Sequence, residues 1–318
     1  MGGNALKAFG VTRVSNDRYV ILKEEIEYKL LKYLPNTVKF RVPASYLAKE
    51  SHGDIDIIIS GWDPVFIELL KRIFNTDAIC LNGPYFSIKY KEVQVDFIVV
   101  DDSDFKSAYY YLSYNDLGNL LGTIFHSNGF KYGHKGLLFE VMDGTLKKGI
   151  IYVSKDPVEI LGSLGLSYDT YKNGFVSLKD IFDFIISSPM FSPEIFQLDN
   201  LISGNRHRPV YIQFLEYIKD LPKRIPGYIL FSKFPELPGL VEDVRQEYDL
   251  DRARRQKING FLVRGLTGLD GPDLGLLLRY LRMNIDPEIQ EVEPEILRLW
   301  SRFKIQMEMD VCSVNTEK

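Results

Sequence analysis

The spacing of apolar residues changes period along this chain, and the changes mark out its elements. From Ser15 to Leu34 apolar side chains at Tyr19, Leu22, Ile26, Leu30 and Leu31 recur at helical spacing, with Ser15 placed to cap the helix and Pro35 to stop it. A short strand is predicted from about Val38 to Val42. Ile55, Ile57 and Ile59 then alternate with Asp54 and Asp56, the period of a strand with one apolar face. Asp63 and Pro64 open a helix whose inward positions are Phe66, Leu69, Leu70 and Ile73. From Ala78 to Val100 the residues favour strands, with turns at Asn82-Gly83-Pro84 and at Lys91-Glu92. This order predicts a small mixed sheet with helices on one side.

After Asp101-Asp102 the pattern becomes mixed helix and loop. Tyr109 to Ile124 predicts a helix with Leu117, Leu120, Leu121 and Ile124 on one face, and Gly129 to Leu137 reads as a glycine-punctuated basic loop. Leu138–Val141 and Gly149–Val153 predict a hairpin around Asp143-Gly144. Helices are expected from Asp156 to Leu161, Leu178 to Ser187 and Pro209 to Leu221, the last with Ile212, Leu215, Tyr217 and Ile218 inward. Tyr168, Tyr171 and Gly174-Phe175 read as an aromatic loop. Three or more helices are expected from Leu240 to about Ile305. The predicted class is α+β: an arm over residues 1–14, a sheet-containing domain over 15–154, a mainly helical domain over 155–308 and a frayed tail over 309–318.

With 318 residues and 45% hydrophobic content, two cores are the expectation. The net charge of -4 argues against a surface that grips nucleic acid everywhere, so any such contact must be local. Cys80 and Cys312 offer no disulfide framework, and neither they nor the four histidines show zinc-ligand spacing, which points to a reducing, cytoplasmic-type compartment. No run approaches the roughly 18 apolar residues of a membrane span, and the first residues lack signal-peptide order. No membrane partner is expected, and the oligomeric state is left open.

The candidate chemistry lies in the strands. Asp54 and Asp56 point to one face of an extended segment, about 7 Å apart, and Asp96 joins them if its strand, Val93 to Val100, pairs alongside. Three such carboxylates repel one another, and divalent cations with a taste for hard oxygen, magnesium or manganese, make the cluster tolerable. The plain alternative is an edge strand with a wet face; structural calcium and a hydrolytic two-metal centre are others. Val42 to Lys49 reads as a short apolar run followed by small residues and a lysine, a turn suited to bring backbone N–H groups and a hydroxyl near phosphates. Tyr110, Tyr111 and Tyr114 either stack a base or fill the core, and Lys135 sits in the basic loop at the right point in the chain to face the cleft. Arg252, Arg254, Arg255, Lys257 and Arg264 occur with no acid between them, as an RNA lane or as a solvated helix face.

At these residues the chain resembles the nucleotidyltransferase superfamily of DNA polymerase β, whose pattern is a Gly-Ser turn, an Asp-x-Asp strand and a third acid on a neighbouring strand. Ala44-Ser45 stands where that family has Gly-Ser. The chain looks most like phage and large-virus members in Gly2-Gly3, Gly53 to Asp56, Tyr114 to Gly118, His134 to Leu137, Leu164-Gly165-Leu166, Gly174-Phe175 and the Leu266-Thr267-Gly268-Leu269 turn. The resemblance implies two magnesium (or manganese) ions held by Asp54, Asp56 and Asp96. It implies a nucleoside triphosphate bound with help from Ala44, Ser45, Lys49, Tyr114 and Lys135. Template-independent transfer of a nucleoside monophosphate with loss of pyrophosphate follows, the acceptor being an RNA 3′ end guided by Arg252, Arg254, Arg255 and Lys257. A protein or small-molecule acceptor, and a member that binds nucleotide without transferring it, are the alternatives.

Overall fold

Ser15 accepts a hydrogen bond from the Arg18 N–H and so starts α1 (Asn16–Tyr33), which buries Tyr19, Leu22, Ile26 and Leu30 while Leu31, expected inward, is 73% exposed. The computed structural model describes residues 5–61, 63, 66–83, 85–197, 208–286 and 289–314, with side chains described as far as residue 305. Gly2-Gly3, Pro64 and Pro84 lie outside the described residues.

The remaining elements follow in chain order. β1 (Val14–Ser15) precedes α1 and pairs with β3 (Ser51–His52). β2 (Lys39–Arg41), β4 (Asp54–Ser60), α2 (Phe66–Phe74), β5 (Ile79–Asn82), β6 (Tyr85–Tyr90) and β7 (Val93–Val99) complete the first half. They form a mixed five-stranded sheet of order β2-β4-β7-β6-β5 in which β4 and β7 run parallel and the other neighbours antiparallel. One face carries Ile55, Ile57, Ile59, Val95, Phe97, Phe86 and Ile88 onto α1 and α2 in a single apolar core. The α+β class expected from the hydrophobic pattern is the class observed.

The helix expected from Tyr109 to Ile124 is two helices, α3 (Phe105–Leu112) and α4 (Leu117–Ser127). Tyr114 and Asn115 between them have φ of 61° and 60°, a left-handed conformation that ends a helix. The corner is tight, since a Cβ on Gly118 would lie 2.1 Å from the Tyr111 carbonyl oxygen. The basic loop expected at Gly129–Leu137 is a hairpin of β8 (Phe130–Gly133) and β9 (Gly136–Asp143), and β9 also pairs with β10 (Leu146–Ser154). Asp156 and Pro157 open α5 (Pro157–Ser163). Tyr168 and Tyr171, expected in a loop, stand on α6 (Tyr168–Asn173), where Ser167 caps the first turn. α7 (Leu178–Ile186) starts with a Ser177/Asp180 capping box. α8 (Pro209–Ile218) buries Tyr211, Phe214 and Ile218, whereas Ile212, expected inward, is half exposed.

The chain divides into two compact units, residues 1–140 with 150–237 and residues 141–149 with 238–318. The boundary expected near residue 155 therefore falls inside the first unit, where Tyr171 donates to the Tyr110 carbonyl at 2.7 Å and the Leu47 N–H donates to the Phe175 carbonyl at 3.0 Å. In the second unit α9 (Leu237–Lys257, nearly all within it), α10 (Gly260–Thr267), α11 (Gly271–Asn284) and α12 (Val292–Val314) surround a core of Ile258, Val263, Leu277, Leu281 and Ile296. Asn259 caps α10, and Gly268 at φ 72° closes it with its N–H on the Arg264 carbonyl. α12 continues past Met309, where a frayed tail was expected. Among the described residues no helix is long and apolar enough to cross a membrane.

Candidate active site

The register between β4 and β7 builds the site. Asp54 lies opposite Gln94 and Asp56 opposite Asp96, so three carboxylates and an amide share the sheet face turned away from α1 and α2. One ligand oxygen from each of Asp54, Asp56 and Asp96 lies within 4.8 Å of the others. Asp96 is buried and held from two sides: Gln94 Nε2 donates to both of its oxygens at 2.8 and 3.0 Å, and the Ser87 hydroxyl adds a hydrogen bond from the facing residue of β6. Burial nonetheless raises the pKa of Asp96, the Ser87 and Gln94 bonds opposing the rise. Asp56 keeps accessible surface, yet protein crowds it closely enough that burial, with the charges of Asp54 and Asp96 adding, pushes its pKa up to about 8. Such a group is held as an anion at neutral pH only with a nearby positive charge.

Positive charge is at hand. Lys49 donates to Asn115 Oδ1 at 3.0 Å, and its pKa is lowered by burial against the pull of Asp54 and Asp56. Arg13 donates to the Ser51 hydroxyl and carbonyl, both at 3.0 Å, and a Cβ on Gly53 would touch its guanidinium at 3.0 Å. Both cations have neutral hydrogen-bond acceptors. They line, with Asp54, Tyr46, Asn115 and Ser177, a cleft of about 560 Å³ within the first unit.

The loop over residues 42–50 is irregular and pinned at several points. Ala44 receives the Tyr114 N–H on its carbonyl at 2.6 Å and donates its own N–H to the Ser113 hydroxyl at 3.1 Å, while the Ser45 side chain hydrogen-bonds with Tyr19. Tyr19 stacks on His52 with ring centroids 3.6 Å apart, and His52 Nε2 faces Asn16 Oδ1 at 3.1 Å. Burial, then the charges of Lys49 and Arg13, hold His52 down to about 3, so it is a neutral spacer under the turn.

The structure places the other expected contacts as follows. Tyr114 is buried with its ring edge-on to Tyr171 and Phe175, so it supports the turn through its backbone. Lys135 is exposed at the tip of the β8–β9 turn, next to His134, whose ring packs against Tyr85 and Tyr111. In the second unit Arg252 is exposed, Arg255 pairs with Asp251 at 2.7 Å, Lys257 donates to the Ile289 carbonyl at 3.2 Å, and Arg254 is half-buried with its Nε unpartnered among the described residues. Arg252 and Arg255 share one side of α9, and Arg254 and Lys257 another.

Arg13, Gln94, Ser87 and Asn115 were not anticipated. Gln94 could have been, since it precedes Asp96 by two and must share its face; the others arrive through contacts distant in sequence. No protein-family model and no curated protein sequence matches the chain.

Proposed function

We propose that this chain is a template-independent nucleotidyltransferase that moves a nucleoside monophosphate from a nucleoside triphosphate to an acceptor hydroxyl, an RNA 3′ end. The observation that carries the reading is a cluster of three carboxylates, one of which, Asp54, also lines a cleft with Arg13 and Lys49, two cations whose side-chain hydrogen bonds among the described residues go to Ser51 and Asn115. The donor set fits magnesium or manganese: all oxygen, all anionic when ionised, with no histidine or cysteine among the three. Asp54, Asp56 and Asp96 would hold the metal, two ions in this reading, which when bound supplies positive charge to phosphate and hydroxyl oxygens.

The chain's own residues do the rest. Arg13 and Lys49 bind the polyphosphate, Arg13 through a planar fork suited to phosphate oxygens and Lys49 as a half-buried point charge. Ser45, fixed by Tyr19, and the Ala44-Ser45 loop, held in place by the Ala44 N–H on Ser113, limit where the phosphates can lie. The acceptor oxygen bonds to the α-phosphorus as the bond from that phosphorus to the β-phosphate oxygen breaks. Pyrophosphate leaves with the electron pair, and the hydroxyl proton passes to solvent. The cations of α9, led by the exposed Arg252, support RNA as the acceptor.

The test is pyrophosphate release from each of the four nucleoside triphosphates with magnesium, in the presence of RNA ending in a 3′ hydroxyl or in a 3′-deoxy terminus. The reading expects release that needs the hydroxyl. Release indifferent to RNA would move the acceptor to a protein or small molecule, and nucleotide binding without release would make this a non-catalytic member.

A further inference from the structure

We infer that the N-terminal arm is part of the metal site, and that it acts through Gln94, a positioning residue that orients Asp96. The inference deepens the proposed nucleotidyl transfer and rests on Asp54, Asp56 and Asp96 binding metal.

The arm is docked along its described length. Leu6 is fully buried, the Phe9 carbonyl accepts from Lys89 Nζ at 2.5 Å, and the Thr12 N–H donates to the Glu92 carbonyl at 2.8 Å. A short turn over Lys7–Phe9 ends at Gly10 in a left-handed conformation, which sends the chain on toward β1. The decisive contact is the buried hydrogen bond from the Leu6 N–H to Gln94 Oε1 at 3.0 Å.

A side-chain amide has a donor side and an acceptor side, and the two are interchangeable by a half-turn. A backbone N–H can only donate, so Leu6 requires Oε1 on its own side, and that places the Nε2 amino group, a donor, on the other side, facing Asp96. The observed bonds from Nε2 to the two Asp96 oxygens are the consequence. With the amide reversed, an oxygen would face a carboxylate. The contacts from Nε2 to the two oxygens, with the Ser87 bond, fix the plane of the carboxylate, so the remaining lone pairs keep set directions while one oxygen lies within 4.8 Å of ligand oxygens of Asp54 and Asp56. Gln94 is itself wholly buried beside Asp54, so it has no solvent alternative. Partners that orient a ligand in this way are typically worth about ten- to a hundredfold in metal affinity.

Linkage makes the contact reciprocal: if the docked arm favours metal, bound metal must favour the docked arm. The experiment uses the full chain and manganese, with binding read by the loss of free Mn²⁺ signal in electron paramagnetic resonance. Q94L keeps the size of the side chain and removes both ends of the relay, and its Mn²⁺ affinity is expected to fall about tenfold or more. Wild-type affinity in a folded Q94L would overturn the inference. Should Q94L not fold, the wild-type chain decides alone. Deuterium uptake in the peptide that contains Leu6 is expected to slow when Mn²⁺ is added, and not to respond in D96N; uptake in the wild type unchanged by saturating Mn²⁺ would overturn the inference. Manganese-sensitive protection of Leu6 without nucleotidyl transfer leaves the arm's role standing and removes the proposed reaction. Transfer with Q94L at wild-type Mn²⁺ affinity does the reverse. A wild-type chain that binds no Mn²⁺ overturns both.

Discussion

Asp56 and Asp96 are register partners on adjacent parallel strands, so their side chains rise side by side from one face of the sheet. Burial of Asp56, with the charges of Asp54 and then Asp96 adding, makes the folded chain hold a proton that the unfolded chain releases. Asp56 titrates near 4 when unfolded and near 8 when folded. Its contribution to stability is therefore complete below about pH 4 and is lost as pH rises toward 8. Melting temperatures of metal-free protein should fall across that interval, and D56N should flatten the fall. Magnesium should restore stability at the alkaline end. An identical profile for wild type and D56N would show that the Asp56 carboxyl is not held protonated by its surroundings.

His52 produces the opposite slope. Its folded pKa lies below its ordinary value, at about 3, so it favours the fold above roughly pH 6.5 and penalises it as pH falls through that value toward 3. The imidazole resonances of His52 should show no titration between pH 5 and 8. H52Q should lessen the loss of stability on the acid side and leave the alkaline fall in place.

Arg13 and Lys49 have separate hydrogen-bond partners and one common cleft. R13A and K49A should each weaken nucleoside triphosphate binding by about ten- to a hundredfold, a charge-assisted hydrogen bond being worth roughly 1.5–3 kcal/mol. Nucleoside binding should be nearly unaffected. Titration calorimetry with a triphosphate and with its nucleoside separates the two, and equal losses for both ligands would place these cations at the base or sugar.

The cations of α9 are tested by salt. With Arg252, Arg254, Arg255 and Lys257 all replaced by Gln, RNA affinity should fall and its salt slope flatten by up to about one unit per lost phosphate contact. Triphosphate affinity should hold. Arg255 already pairs with Asp251, so its contribution should be the smaller part. An unchanged slope would take the acceptor role from this helix.

The acids were legible because their signal is local: alternation puts Asp54 and Asp56 on one face whatever else the chain does. That Asp96 joins them depends on β4 pairing with β7 in one register, a long-range choice that the pattern allows and does not dictate. The break between α3 and α4 was hidden because Tyr114 and Asn115 adopt left-handed backbone under tertiary constraint, the Tyr114 ring being packed among Tyr171 and Phe175. Inward positions on α8 shifted because Tyr211 and Phe214 find Phe196 and Phe182, partners with no sequence proximity. Gly118 marks the same corner, and G118A should cost about 1–3 kcal/mol, the scale of overpacking, as read by denaturant unfolding.

The central claim is that the three carboxylates promote attack at the α-phosphorus. The most direct measurement follows the label from nucleoside triphosphate marked at the α- or at the γ-phosphate, in the presence of magnesium and an RNA with a free 3′ hydroxyl. The account predicts that the α-label enters RNA and the γ-label leaves as pyrophosphate. D54N, D56N and D96N should each reduce that transfer by at least about a hundredfold, the scale of losing one preorganised electrostatic group. A γ-label that appears as free phosphate or on an acceptor, or an α-label transferred at wild-type rate by D56N, would contradict it.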